Sequence, residues 1–252
     1  MRNRGWITPA AALGLALVAA TSTAQPTGVR EVRHQVPGPS DPVVVELFTA
    51  QGCGVCAEAN SRLEAVADEP GVIALTYAVD YWDYLGWRDT FARPEFAQRQ
   101  RAYRRPLRVR DVSTPQIVIN GRRQVALAQP PALQAAIDDE ATRPANPPEI
   151  EFRETGDRVG VGSGASPEGG AEVVAVRYKP GAQTVVVSAG ENRGRRLRHT
   201  NVVVGVETLG DWSGRPVLYP LPDDMAQGEA VAVLIQAKGS RRILAGAVLA
   251  PR

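Results

Sequence analysis

The chain has 252 residues, with 29 Lys and Arg against 27 Asp and Glu, a formal charge of +2. That near-balance excludes a global pull toward nucleic acid or an anionic membrane surface. Two cysteines and two histidines, His34 and His199 lying far apart, fall short of the paired ligands of a structural zinc site.

In residues 1–24, Arg2 and Arg4 precede an apolar stretch from Ile7 to Ala20, which ends in the small residues Ser22, Thr23 and Ala24. This is the three-part pattern of a signal peptide. The stretch is shorter than the ~20 residues of a membrane span. The expectation is a periplasmic or secreted protein with no stable membrane span after cleavage, in a compartment where a disulfide persists. Removal of Arg2 and Arg4 takes the formal charge to zero. A retained N-terminal anchor is the alternative.

Residues 25–41, containing "VPGPSDP", read as an irregular lead-in. Strand and helix signals then alternate over residues 42–143. Val43–Phe48 is apolar apart from Glu46, as in a strand buried on both faces. Ala57–Ala67 places Ala59, Leu63, Val66 and Ala67 on one helical face. Val72–Val79 is a second buried strand, and Phe91–Tyr103 a helix stopped by Pro106. Gln116–Asn120 is a third strand, turning at Asn120-Gly121 into Gln124–Leu127. Pro131–Ala141 is a helix with proline in its first turn.

The proline-dense residues 144–149 read as a linker. Beyond it, over residues 150–252, short valine-rich runs recur at Glu149–Phe152, Arg158–Val161, Glu172–Tyr178, Gln183–Ser188, Asn201–Thr208, Val217–Tyr219, Ala230–Gln236 and Arg242–Leu249. Turn clusters such as "KPGA" and "AKGS" separate them, which points to an all-β, sandwich-like second domain.

The chemistry concentrates in "ELFTAQGCGVC", which holds both cysteines, Cys53 and Cys56. A disulfide closing so short a loop constrains the unfolded chain little, about 2 kcal/mol against nearly 5 for a loop of about 100 residues. Two thiols at a helix start suit redox work instead, because the free N–H groups there stabilise a thiolate. A Cu(I) site with two thiolate ligands is the remaining alternative. About 60 residues later, Thr114-Pro115 directly precedes a strand.

This combination resembles the thioredoxin superfamily. Over nearly all of the mature chain, "VVELFTAQGCGVC", "VDYWDYLGWRDTFARPEFAQRQRAY", "VSTPQIVING" and "GENRGRRLRHTNVV" look like a family of exported bacterial proteins grouped with thioredoxin-like proteins and catalogued as a domain of unknown function. The resemblance implies an α/β thioredoxin-like N-terminal domain, a central mixed sheet flanked by helices, with Pro115 cis and facing the cysteines. It also implies a proton acceptor below the second cysteine, and Glu46 is the matching candidate, beside a purely structural role. The family commonly has Cys-Ser-Ser-Cys-Pro-Pro where this chain has Cys53-Gly54-Val55-Cys56-Ala57-Glu58.

Six aromatics fall between Tyr77 and Phe91. Tyr81, Trp82 and Trp87, with Thr114, are the candidate substrate wall, since Tyr and Trp join rigid apolar area to a hydrogen-bonding tip. A satellite core under a long loop is the other reading. The arginines of Arg99–Arg110 read as a solvated helix face, and Gly190–Asn201, with His199, as a loop between strands that binds a partner or docks the two domains.

The expected function is thiol-disulfide exchange on a protein substrate, Cys53 attacking, Cys56 resolving and Pro115 shaping the site. The dithiol carries the two electrons without a dissociable cofactor or metal, and a recycling oxidoreductase restores it. The rivals are a non-enzymatic exported binding or surface-interaction protein using the fold as scaffold, and a Cu(I)-handling protein.

Overall fold

The computed structural model describes residues 42–125 and 131–251. The proposed signal peptide, the lead-in and His34 lie outside them. In chain order the elements are β1 (Val43–Thr49), α1 (Cys56–Val66), β2 (Val72–Ala78), a 3₁₀ turn (Asp83–Leu85), α2 (Pro94–Ala102), β3 (Gln116–Ile119), β4 (Arg123–Val125), α3 (Pro131–Ala141), β5 (Ile150–Phe152), β6 (Arg158–Val161), β7 (Ala171–Val186), β8 (Arg196–Trp212), β9 (Val217–Pro220), β10 (Ala230–Ala237) and β11 (Ile243–Leu249). No helix among the described residues is long and apolar enough to cross a membrane.

Side chains alternate across a strand, so β1 serves two cores. Val43, Val45 and Leu47 pack with Ala59, Leu63 and Val66 of α1 and Leu133, Ala136 and Ile137 of α3. Val44 and Phe48 point the other way and join Phe96 and Ala97 of α2 in a second core. Burial on both faces explains the unbroken apolar run. β1 pairs with β2 in parallel and with β3 antiparallel.

The expected cut at residues 144–149 does not separate two sheets. One eight-stranded mixed sheet runs β11-β10-β7-β8-β2-β1-β3-β4, joining strands from both sides of the proline-rich stretch. The join is the parallel contact of β2 with β8, at Thr76 and Val202. The second core holds Val44, Phe48, Leu75, Tyr77 and Val118 together with Val174, Val176, Val203, Ala232 and Leu234. The two halves also meet where the Ile243 amide donates to the Asn120 carbonyl, 2.9 Å. There a Cβ on Gly121 would lie 2.0 Å from the Arg241 carbonyl oxygen. The physical reason for the single body is that β7 and β10 are apolar on both faces: one covers the β1–β2 side, and the other, Val173, Ala175, Val231, Val233 and Ile235, is covered by Val159, Val161 and Tyr219 of a separate three-stranded sheet, β5-β6-β9.

"KPGA" is a bulge and not a turn between strands. Lys179 pairs with Val202 and Ala182 with Thr200, so Pro180 and Gly181 together oppose Asn201, one extra residue in one continuous β7. Proline has no N–H for the ladder, and Gly181 takes a positive φ of 73°, donating its amide to Asn201 Oδ1 at 2.9 Å.

Candidate functional site

β1 ends at Thr49, and the chain turns through Ala50 to Val55 before α1 begins at Cys56. Cys53 N–H donates to the Ala50 carbonyl and Cys56 N–H to the Cys53 carbonyl. Cys56 is therefore the first residue of the helix, and Cys53 lies in the turn before it. The two are joined in a disulfide with Cα atoms 5.4 Å apart. Both cysteines are fully buried.

Three segments enclose this turn. The first holds Thr114 and Pro115, joined by a cis peptide bond. The Thr114 carbonyl oxygen lies 3.9 Å from Cys53 Sγ. Trp82 Nε1 donates to Thr114 Oγ1 at 2.6 Å. Chain order alone sets these residues far from the cysteines; the antiparallel pairing of β1 with β3 brings them there.

The second segment is the aromatic connection after β2. Trp87 Nε1 donates to Gln51 Oε1 at 2.8 Å, and Tyr81 OH bonds Gln100 Oε1 at 3.1 Å. Asp89 anchors the segment. Its carboxylate accepts from the Gln51 amide at 2.7 Å and the Phe91 amide at 2.9 Å. Burial pushes its carboxyl up to about 6, partly countered by those two bonds. The polar tips of Tyr81, Trp82 and Trp87 thus all bond inward. Exposed apolar surface at this end is instead Val55, between the cysteines, and Tyr84, 68% and 79% accessible.

The third segment arrives from the other half of the chain: residues 187–195, linking β7 to β8. Asn192, fully buried, donates through Nδ2 to the carbonyls of Gln51 (2.9 Å) and Cys53 (2.8 Å). Glu191 Oε2 accepts the Gly54 amide at 2.8 Å, and Arg195 reaches the Gly54 carbonyl at 3.5 Å. In the sequence Gly190–Asn201 reads as one loop. Only its first part is; residues from Arg196 onward belong to β8, where Arg198 grips Glu64 of α1.

His199 sits in β8 with its ring edge-on to Phe91, centroids 5.5 Å apart, and neither ring nitrogen has a hydrogen-bond partner among the described residues. Burial lowers its pKa to about 4, so the imidazole is neutral at ordinary pH.

Glu46 lies under the sheet in the second core. Arg99 Nε bonds its Oε1 at 2.6 Å, and Tyr103 OH donates to its Oε2. Arg99 also bonds Gln236 of β10 at 3.1 Å and lies over the rings of Tyr77 and Tyr103. Arg99 is therefore buried, not on a solvated face. Burial opposes its charge, yet Glu46 beside it holds the guanidinium protonated and above its ordinary value. A charge-bearing residue inside the α2 pattern was visible in the sequence; its partner across 53 positions was not.

A buried disulfide at the junction of a parallel strand pair and a helix, framed by a Thr-Pro segment, defines the class of site. The chain belongs to the family described as a protein of unknown function, DUF1223, whose model matches residues 44–236. It is similar to the crystal structure of protein AGR_C_4864 from Agrobacterium tumefaciens, at 31% identity and a TM-score of 0.70, covering 85% of this chain and 96% of that one. It is also similar in fold to HBP35 of Porphyromonas gingivalis, at 13% identity and a TM-score of 0.57, covering 84% of this chain and 76% of that one. No curated protein matches the chain.

Proposed function

We propose that the protein is an exported, thioredoxin-like thiol-disulfide oxidoreductase acting on protein thiols or disulfides through Cys53 and Cys56. The observation that carries this reading is the Cys53–Cys56 disulfide itself, in the turn between β1 and α1 with the Thr114 carbonyl beside Cys53 Sγ. In the reducing direction the Cys53 thiolate attacks a substrate disulfide, forming a mixed disulfide and expelling one substrate thiolate. Cys56 then attacks Cys53 Sγ, restoring the Cys53–Cys56 bond and releasing the second substrate thiol. Two electrons pass from protein to substrate, and a partner dithiol of the same chemical class returns them. The α1 N-terminus supports this by directing the positive end of the helix at the cysteine turn, where it favours a thiolate. Pro115, Thr114 and the Trp82 that bonds Thr114 would shape the approach of the substrate.

Catalysed reduction of insulin by dithiothreitol, followed as turbidity, tests the proposal. The wild-type protein accelerates the reaction, and Cys53→Ser removes the acceleration. Equal rates for both proteins refute it.

A second reading, a binding protein in which the fold is a scaffold and the disulfide inert, is favoured by the complete burial of both sulfurs. A pair that stays oxidised in strongly reducing buffer would select it.

A further inference from the structure

The 187–195 connection deepens the reading of Cys53–Cys56 as a redox centre, on which it rests. Thiol-disulfide exchange needs a third sulfur to approach along the S–S axis. Neither sulfur here offers such an approach, since both cysteines are fully enclosed.

Of the segments enclosing the pair, two are fastened to each other or to the core. Trp82 and Thr114 are bonded together, and Asp89 ties the aromatic connection to Gln51. The 187–195 connection is fastened differently. Its base is closed by two backbone bonds, Val187 N–H to the Arg195 carbonyl and Gly194 N–H to the Val187 carbonyl. It touches the cysteine turn through the side chains of Glu191, Asn192 and Arg195, of which only Asn192 is buried. Gly190, just before Glu191, and Gly194, just before Arg195, have φ of 75° and 79°. Gly54 leaves room for the contact: a Cβ there would stand 2.6 Å from Glu191 Oε2.

We infer that residues 187–195 form a strap over the disulfide, with Asn192 as its latch, and that substrate reaches Cys53 only when this latch is released. The latch spans the carbonyls of Gln51 and Cys53, backbone groups present in the oxidised and reduced states alike. It therefore controls the rate of exchange in both directions and leaves its equilibrium nearly unchanged. An incoming polypeptide can replace what the strap gives up, with a carbonyl for the Gly54 amide and an amide for the Gly54 carbonyl.

The test is the rate at which dithiothreitol reduces the full-length oxidised protein. Two electrons pass from dithiothreitol, which closes to its cyclic disulfide, to the Cys53–Cys56 bond, which becomes two thiols. Asn192→Ala should raise this rate about tenfold or more, by removing two buried hydrogen bonds, with the equilibrium constant against dithiothreitol changed by no more than about twofold. The variant Glu191→Ala, which removes only the exposed bond to the Gly54 amide, should raise the rate by a smaller factor at unchanged thermal stability. Wild-type rates in both variants overturn the strap, as does an increase that matches an equal increase in the global unfolding rate. Insulin reduction separates the two claims: no catalysis with a faster Asn192→Ala reduction refutes the activity alone, whereas catalysis with unchanged variant rates refutes the strap alone.

Discussion

Asp89, bonded to Gln51 of the cysteine turn, and His199, packed edge-on against Phe91, are buried ionisable residues, and burial moves them in opposite directions. The Asp89 carboxyl, raised from 3.8 to about 6, holds in the folded protein a proton that the unfolded chain has released. Its contribution to stability is complete below pH 3.8 and is lost as pH rises through 6. His199, lowered from 6.5 to about 4, does the reverse: its contribution is complete above pH 6.5 and is lost as pH falls through 4. Replacing His199 with Leu should therefore cancel one slope. The difference in unfolding free energy between wild type and variant should grow from pH 4 to 6.5 by on the order of 3 kcal/mol, measured by urea unfolding at both values. A pH-independent difference would mean that His199 titrates normally. A catalytic role for His199 would need a partner on the ring, and neither nitrogen has one among the described residues.

Among the elements, β1 and α2 are locked together by Glu46 and Arg99, whose charges are both withdrawn from water. Glu46→Gln should destabilise the protein by roughly 3–5 kcal/mol, because Arg99 would be left buried without its counter-ion. Replacing both residues with Leu should recover most of that loss, and denaturant midpoints will show it. A stable Glu46→Gln protein with slowed reoxidation would instead make Glu46 the proton acceptor that the family resemblance implies. Element by element, local patterns were readable where local rules decide. Pro131–Ala141 is a helix with proline in its first turn, as expected. α2 starts at Pro94 and not at Phe91, because proline occupies the first helical turn and the preceding Arg93 is extended. The β7 bulge reads as a turn in the sequence because Pro-Gly has the same local signature in a turn as in a bulge with one extra residue; only the pairing of Lys179 and Ala182 with β8 distinguishes them.

At the scale of the whole molecule, the shared core makes the residue 144–149 segment a surface connection and not a boundary between independently folding units. A fragment spanning residues 42–143 would leave Val44, Phe48, Leu75, Tyr77 and Val118 without the β7, β8 and β10 side chains that cover them. It should lack a cooperative thermal transition and dispersed amide NMR signals, whereas residues 42–252 should show both; a folded fragment would restore the two-domain reading. That union was hidden in the sequence because the β2–β8 contact joins residues more than a hundred positions apart through one register pair. The strap over the cysteines was hidden for the same reason: Asn192 carries no local motif, and its partners lie 139 and 141 positions away. The Cys53–Cys56 pair, by contrast, was legible from its spacing and from the strand before it. Its reduction potential tests the central claim most directly, by equilibration of the full-length protein with graded thiol and disulfide mixtures. The account predicts a potential above about −300 mV, within reach of cellular dithiol donors; a value well below that would make the pair an inert structural bond and contradict it.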